Sequence, residues 1–299
     1  MKAQWLSLKM LLSLLLAVVL PQAVATAAQR CVADDALRTL CIDTPAQRIA
    51  TLSPGATELT FAAGAGEQVI AGVSYSDYPP AALKLPLVGN HTRIDVEALL
   101  ALKPDLIVTW VSGNPTAQVE LLQELGLPIF AIEPRTFEGV SSAIERLSIL
   151  AGTEEAGFAE AERFRSGIAA IAEQYRDAKP VSVFYQVWET PLMTINNTHL
   201  IGKVLQLCGG VNVFADMPRL VPRISPEVVL QADPEVILTG SVEGASDQQL
   251  DHWKKYPKMR AVALDNLFFV PSSPISRPTP RLLEASRDIC QKLDIARGR

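Results

Sequence analysis

The chain has 299 residues, with 27 Lys and Arg against 32 Asp and Glu and a formal net charge of −5. It has no extended basic run, so nucleic acid and anionic membrane surfaces are not expected partners. The length exceeds the roughly 100–150 residues of an ordinary single domain, so two lobes are expected.

The N-terminus reads as a cleaved secretory signal over residues 1–27. Lys2 and Lys9 precede the apolar run 10–20, and Pro21 with the small-residue triplets Ala23-Val-Ala25 and Ala25-Thr-Ala27 follows. The run is shorter than the roughly 18 residues a membrane span needs. Arg30, directly before Cys31, does not fit a lipid-attachment site. The expected product is exported and carries no membrane anchor. All four cysteines, Cys31, Cys41, Cys208 and Cys290, lie in the exported part, where an oxidising compartment favours two disulfides. Four cysteines allow about three pairings. The preferred one joins Cys31 to Cys41 across a hairpin turning at 34–37, and Cys208 to Cys290 between two helices of the second lobe.

Short apolar strands then alternate with helical stretches. Strands are expected at 48–52, 68–73, 105–109 and 128–132, and helices at 56–63, starting from Ser53-Pro54, and at 115–125. This rhythm predicts a parallel sheet covered on both faces. Residues 137–151 and 154–178 read as two helices broken at Gly152-Thr153, and Lys179-Pro180 ends the second. A strand at 181–187 resumes the alternation. The expected fold is α/β, with two Rossmann-like, mainly parallel lobes at 28–152 and 180–299. One long helix over 153–179 joins them, a stiff connector that limits hinge motion.

An internal repeat supports duplicated lobes. Residues 94–110 (IDVEALLALKPDLIVTW) align without a gap to 224–240 (ISPEVVLQADPEVILTG), with Ile, Glu, Leu, Pro, Ile and Thr recurring. Each copy reads as a helix, a Pro-marked turn and a buried strand, with Glu97 and Glu227 at the same offset.

Catalytic patterns are absent: there is no G-x-S-x-G elbow, no H-E-x-x-H and no phosphate-binding loop. The three histidines, His91, His199 and His252, are scattered, with His199 and His252 expected at the surface. In open α/β sheets ligands bind beyond the carboxyl ends of the strands. The loops at those ends hold Gly55, residues 74–80, 89–92, 110–114 and 186–189, Pro222-Arg223 and residues 272–277. They collect Tyr75, Tyr78, Trp110 and Trp188, from a chain with only five Tyr and four Trp. Aromatics with few polar partners suit a large, flat, partly apolar ligand. Trp110 and Trp188 are expected to contact it, since each ends an apolar strand.

Four segments carry a family resemblance: Ile49-Ala-Thr-Leu-Ser-Pro54 with Thr57-Glu58-Leu59, Ser74-Tyr-Ser-Asp-Tyr-Pro-Pro80, Ala101-Leu-Lys-Pro-Asp-Leu-Ile107, and Cys208-Gly-Gly210 with Asn212-Val-Phe214. Over 48–293 the chain resembles the periplasmic cobalamin-binding proteins, within the helical-backbone class of ABC-transporter-linked binding proteins. The resemblance implies a monomeric carrier with no cofactor and no catalytic activity. A corrinoid such as cobalamin would lie between the lobes, and a permease dimer would receive it. Tyr75 and Trp110 match ring-contacting positions, Gly55, Ser273 and Arg277 match polar contacts, and Glu97 and Glu227 match the acidic pair that docks on the permease. The Cys208–Cys290 pair matches as well. His91 stands where the family has tryptophan, which makes its neutral imidazole a candidate hydrogen-bonding group, or a cobalt ligand. The alternatives are a haem or ferric-siderophore carrier of the same class and, in another class, a two-lobed chelatase-like or metallocluster-like enzyme.

Overall fold

The computed structural model describes residues 29–241 and 247–299. The signal expected over 1–27 lies outside the described residues. The chain starts with an antiparallel hairpin, β1 (Arg30–Ala33) and β2 (Thr39–Ile42), which sets Cys31 opposite Cys41 and joins them by a disulfide. Asp34 holds the turn, its Oδ1 accepting from the backbone N–H groups of Ala36 and Arg38 at 3.0 and 2.8 Å. An Arg146–Asp35 ion pair at 2.8 Å fixes the hairpin to the first lobe.

That lobe is built on β3 (Ile49–Thr51), β4 (Val69–Ala71), β7 (Leu106–Trp110) and β8 (Ile129–Ile132), all parallel in the order β4-β3-β7-β8. The small hairpin β5 (Gly89–Asn90) and β6 (Arg93–Ile94) projects beside it. The central strands are buried along nearly their whole length, as a sheet covered on both faces requires. The covering helices are α1 (Pro54–Thr60), α2 (Val96–Ala101), α3 (Thr116–Glu124) and α4 (Phe137–Ala151). The second lobe uses β9 (Val181–Gln186), β10 (Gly210–Asn212), β11 (Val236–Ser241) and β12 (Leu267–Pro271), parallel in the order β10-β9-β11-β12. Taken in chain order, each lobe arranges its strands as second, first, third, fourth. Among the described residues no helix is long and apolar enough to cross a membrane.

The sequence repeat is a structural repeat. One copy forms α2 and β7; the other forms α7 (Pro226–Ala232) and β11. Leu99 and Val229 are buried at the same offset, and Lys103 and Asp233 both adopt positive φ, 49° and 43°, in the turn between helix and strand.

Between the lobes runs α5 (Glu154–Gln174). It stops four residues short of the expected end because the chain turns there. Ala178 N–H donates to the Tyr175 carbonyl, and Arg297 donates to the Lys179 carbonyl just before Pro180. At 21 residues it spans about 31 Å. One apolar cluster passes without a break from Leu106, Val108 and α4 through Ala161, Phe164 and Ile171 of α5 to Leu205, Leu283, Ile289 and the second sheet. The last segments are α6 (Leu200–Leu207), α8 (Arg260–Ala263), α9 (Ser272–Ser276) and α10 (Leu282–Arg297), and the Cys208–Cys290 disulfide ties the end of α6 to α10.

Gly157 sets the contact between α5 and α4, since an added Cβ would lie 2.2 Å from Ser148 Cβ. Alanine normally favours a helix over glycine by about 1 kcal/mol. At position 157 the sign should reverse: Gly157→Ala should lower stability by about 1–3 kcal/mol through overpacking, as read by urea unfolding. Unchanged or raised stability would show that the two helices can part freely.

Candidate functional site

In both sheets the chain order reverses next to the first strand, between β3 and β7 in one lobe and between β9 and β11 in the other. A crevice opens at such a point beyond the carboxyl ends of the strands. In the first lobe Asn114 organises it. Its Oδ1 accepts from Trp110 N–H at 2.7 Å, and its Nδ2 donates to the carbonyls of Leu52 and His91 at 2.8 and 3.0 Å. One buried amide therefore fixes the end of β3, the tip of the β5–β6 hairpin and the Trp110 turn together. The hairpin is linked onward, because Ser74 N–H donates to the Gly89 carbonyl at 2.9 Å and so holds the loop that carries Tyr75. The Trp110 ring lies against the α-carbon of Gly113, where a methyl group would meet it at 1.8 Å. Tyr75 and Trp110 remain 75% and 36% exposed, and the His91 ring stands 6.0 Å from Trp110. Gly55, in the first turn of α1, has open space in front of it. Tyr78 differs: Arg281 stacks 4.2 Å above its ring, which gives it a packing role.

In the second lobe the crevice widens into a cavity of about 570 Å³, lined by Tyr185, Trp188, His199, Thr239, Ser272, Ser276 and neighbours. Trp188 is 62% exposed, and its indole N–H donates to the Thr190 carbonyl at 2.9 Å, so one ring face is held toward solvent. Ser273 does not line this cavity. Residues 272–276 form the helical turn α9, which brings positions four apart onto one face, so Ser272 and Ser276 line the cavity instead. His199 and His252 are both partly buried, not surface residues as expected. His252 packs on Trp253 at 4.7 Å, while His199 caps α6 at the cavity, its Nδ1 accepting from Ile201 N–H at 3.1 Å. Burial pushes the His199 imidazole down to about 4 and raises the fully buried Tyr185 phenol above its ordinary value.

The lobes meet in an ionic knot. Glu58 of α1, its side chain 2% exposed, receives Arg277 Nη1 at 2.8 Å and Arg281 Nη1 at 3.2 Å on one oxygen, and the Thr279 hydroxyl at 2.8 Å on the other. Arg277 also donates to Asp77 at 2.6 Å and to the Tyr75 carbonyl at 3.1 Å. Tyr75 sits there at φ 69°, in the left-handed region. Partial burial works to raise the Asp77 carboxyl, but the hydrogen bond and charge of Arg277 outweigh it and hold the group below its usual range. Arg277, matched by resemblance to a ligand contact, is thus engaged between the lobes and anchors the backbone of Tyr75. A second cavity, of about 500 Å³, lies behind the knot between α5 and α10. It is lined by Glu160, Arg163, Glu284 and Arg287 and receives no strand end.

Glu97 and Glu227 are exposed in the first turns of α2 and α7 and form no ion pair among the described residues. A hydrogen bond from Ser225 holds the Glu227 carboxyl below its usual range.

His199 gives the fold an acid sensitivity. Below pH 6.5 the unfolded chain takes up a proton at this imidazole, while the folded chain does so only near pH 4. Stability should therefore fall, by up to about 3 kcal/mol, as pH drops through that window. Denaturant unfolding at pH 7 and pH 4.5 reads this loss directly, and His199→Asn should reduce it. An identical loss in that variant would locate the acid sensitivity elsewhere.

The model of a family described as periplasmic binding protein matches residues 49–274, well over half of the chain. The vitamin B12-binding protein of Vibrio cholerae serotype O1 is 39% identical over 84% of this chain and 91% of its own length. The crystal structure of the periplasmic vitamin B12-binding protein BtuF of Vibrio cholerae superposes with a TM-score of 0.78 at 38% identity, covering 85% of this chain and 99% of that one. The periplasmic haem-binding protein BhuT, in complex with two haems, has a TM-score of 0.75 at 20% identity over 85% and 99% of the two chains, a likeness of fold alone. With both lobes, the crevice between them and these similarities in place, the chain belongs to the periplasmic binding protein family.

Proposed function

We propose that the chain captures cobalamin or a related corrinoid between its lobes in the periplasm and passes it to an ABC-transporter permease, with no catalytic step. The observation that carries this reading is the crevice lining. Tyr75, Trp110 and Trp188 offer exposed aromatic faces, and among the described residues Glu189 is the only charged one lining the second-lobe cavity. A corrin is a broad apolar macrocycle fringed with uncharged carboxamides, and it suits aromatic walls with sparse polar groups. Haem propionates or an anionic siderophore favour clustered arginines, and of the two in the crevice loops, Arg223 and Arg277, the latter is already held by Glu58 and Asp77. The vitamin B12-binding relatives add independent weight. In this reading residues 1–27 are the export signal. The units 28–152, 153–179 and 180–299 are the two lobes and their connector, and the carrier acts as a monomer. Gly55, His91, Ser273 and Arg277 border the ligand or support those that touch it, and His91 serves as a hydrogen-bonding group beside Trp110.

Glu97 and Glu227, related by the repeat, would meet equivalent basic patches on a two-fold symmetric permease. One exposed ion pair contributes only about 0–1 kcal/mol, but two on a rigid body set orientation and speed encounter.

Calorimetry with cyanocobalamin, cobinamide and haem tests the assignment. One corrinoid should bind per chain, and Trp110→Ala and Trp188→Ala should each weaken binding by about 2 kcal/mol or more. The double variant Glu97→Ala/Glu227→Ala should keep that affinity while losing salt-sensitive binding to permease in vesicles. Haem binding with no heat from any corrinoid would overturn the assignment.

A further inference from the structure

The second-lobe cavity holds two polar groups without a partner among the described residues. His199 Nδ1 accepts the Ile201 N–H, which fixes the proton on Nε2, and Nε2 has no partner among the described residues. The Tyr185 hydroxyl, on a residue only 3% exposed, likewise has no hydrogen-bond partner among the described residues. Three of the other polar side chains around them are taken: Gln186 accepts from Trp253 and donates to the Gln249 carbonyl, Thr239 donates to the Gln186 carbonyl, and Ser276 donates to the Ser272 carbonyl. Both residues line the cavity, where a ligand can reach these groups.

Their chemistry is complementary. The imidazole N–H only donates, while the phenol oxygen also accepts. A primary carboxamide offers the matching pair, a carbonyl oxygen for the imidazole and an N–H for the phenol. A carboxylate could accept from both groups, since the phenol O–H also donates, but it would face the charge of Glu189 in the same lining. Burial keeps the imidazole neutral at ordinary pH, so the donor does not turn into a general anion site.

We propose that His199 Nε2–H and the Tyr185 hydroxyl form a carboxamide-reading subsite that grips one side-chain amide on the corrin rim beside Trp188. The subsite rests on the corrinoid reading and deepens it, because it selects fully amidated corrinoids over analogues with a peripheral carboxylate. Tyr185 and His199 are specificity residues that neither the local sequence pattern nor the family resemblance picks out.

The test uses calorimetry on the full mature chain with cyanocobalamin and its three monocarboxylate isomers, each with one rim propionamide hydrolysed. Wild-type protein should bind at least one isomer about tenfold or more weakly than cyanocobalamin, as expected when a built polar site loses its partner. His199→Asn keeps an acceptor for the α6 cap but lacks the reach of Nε2, and Tyr185→Phe removes a single oxygen. Both variants should bind cyanocobalamin about tenfold more weakly and lose the discrimination between amide and acid, with their thermal unfolding still cooperative. Wild-type affinity and wild-type discrimination in both variants would overturn the subsite and leave the carrier assignment standing. A wild-type protein that binds no corrinoid at all would overturn both.

Discussion

A carboxylate removed from water must be paired, and the pairing of Glu58 sets the geometry of this protein. Its side chain is 2% exposed, yet its partners Arg277, Thr279 and Arg281 all come from the opposite lobe. Removing one of these partners would strand a buried charge, a loss of about 3–5 kcal/mol. Arg277 carries the constraint into the crevice, because the guanidinium that neutralises Glu58 also binds Asp77 and the carbonyl of Tyr75. The aromatic wall of one lobe is thereby indexed to the backbone of the other. The continuous apolar core through α5 ties the lobes in the same sense. A carrier built this way meets its ligand with a preformed surface, which lowers the ordering cost of binding.

Duplication explains where the crevice lies. Both sheets share one strand order, so both switch points fall at the carboxyl ends of their first and third strands. The two copies have since diverged at the end of the third strand. Trp110 supplies an aromatic wall in one lobe, and Gly240 at the equivalent repeat position leaves space in the other, where Trp188 and Tyr185 stand. One lobe presents a broad ring-contacting face. The other presents a pocket with polar groups at its wall.

Much of this was legible in the sequence because local physics determines it. Alternating apolar runs gave the parallel sheets, the Gly152-Thr153 break gave the bounds of α4, and the repeat predicted paired α2–β7 and α7–β11 units. Both preferred disulfides are present. What stayed hidden depends on partners far apart in the chain. Glu58 reads locally as an ordinary early-turn helix residue, and nothing near it announces Arg277 more than 200 positions away. Asn114 looks like one more turn residue until its amide is seen joining three loops. His199 sits among polar neighbours and reads as surface, but tertiary packing turns it into a capped, buried imidazole at a cavity wall. A single helical turn at 272–276, where a loop was expected, brings Ser272 and Ser276 to the second-lobe cavity.

The inter-lobe knot should hold one crevice geometry with or without ligand. Spin labels on Leu121→Cys of α3 and Val228→Cys of α7, both at exposed positions, report the lobe separation by pulsed dipolar spectroscopy, since the four native cysteines are all paired. One narrow distance is expected, shifting by no more than about 1–2 Å on adding corrinoid, with broadening in Glu58→Gln. Two distances in the free protein, or a large closure on binding, would contradict it.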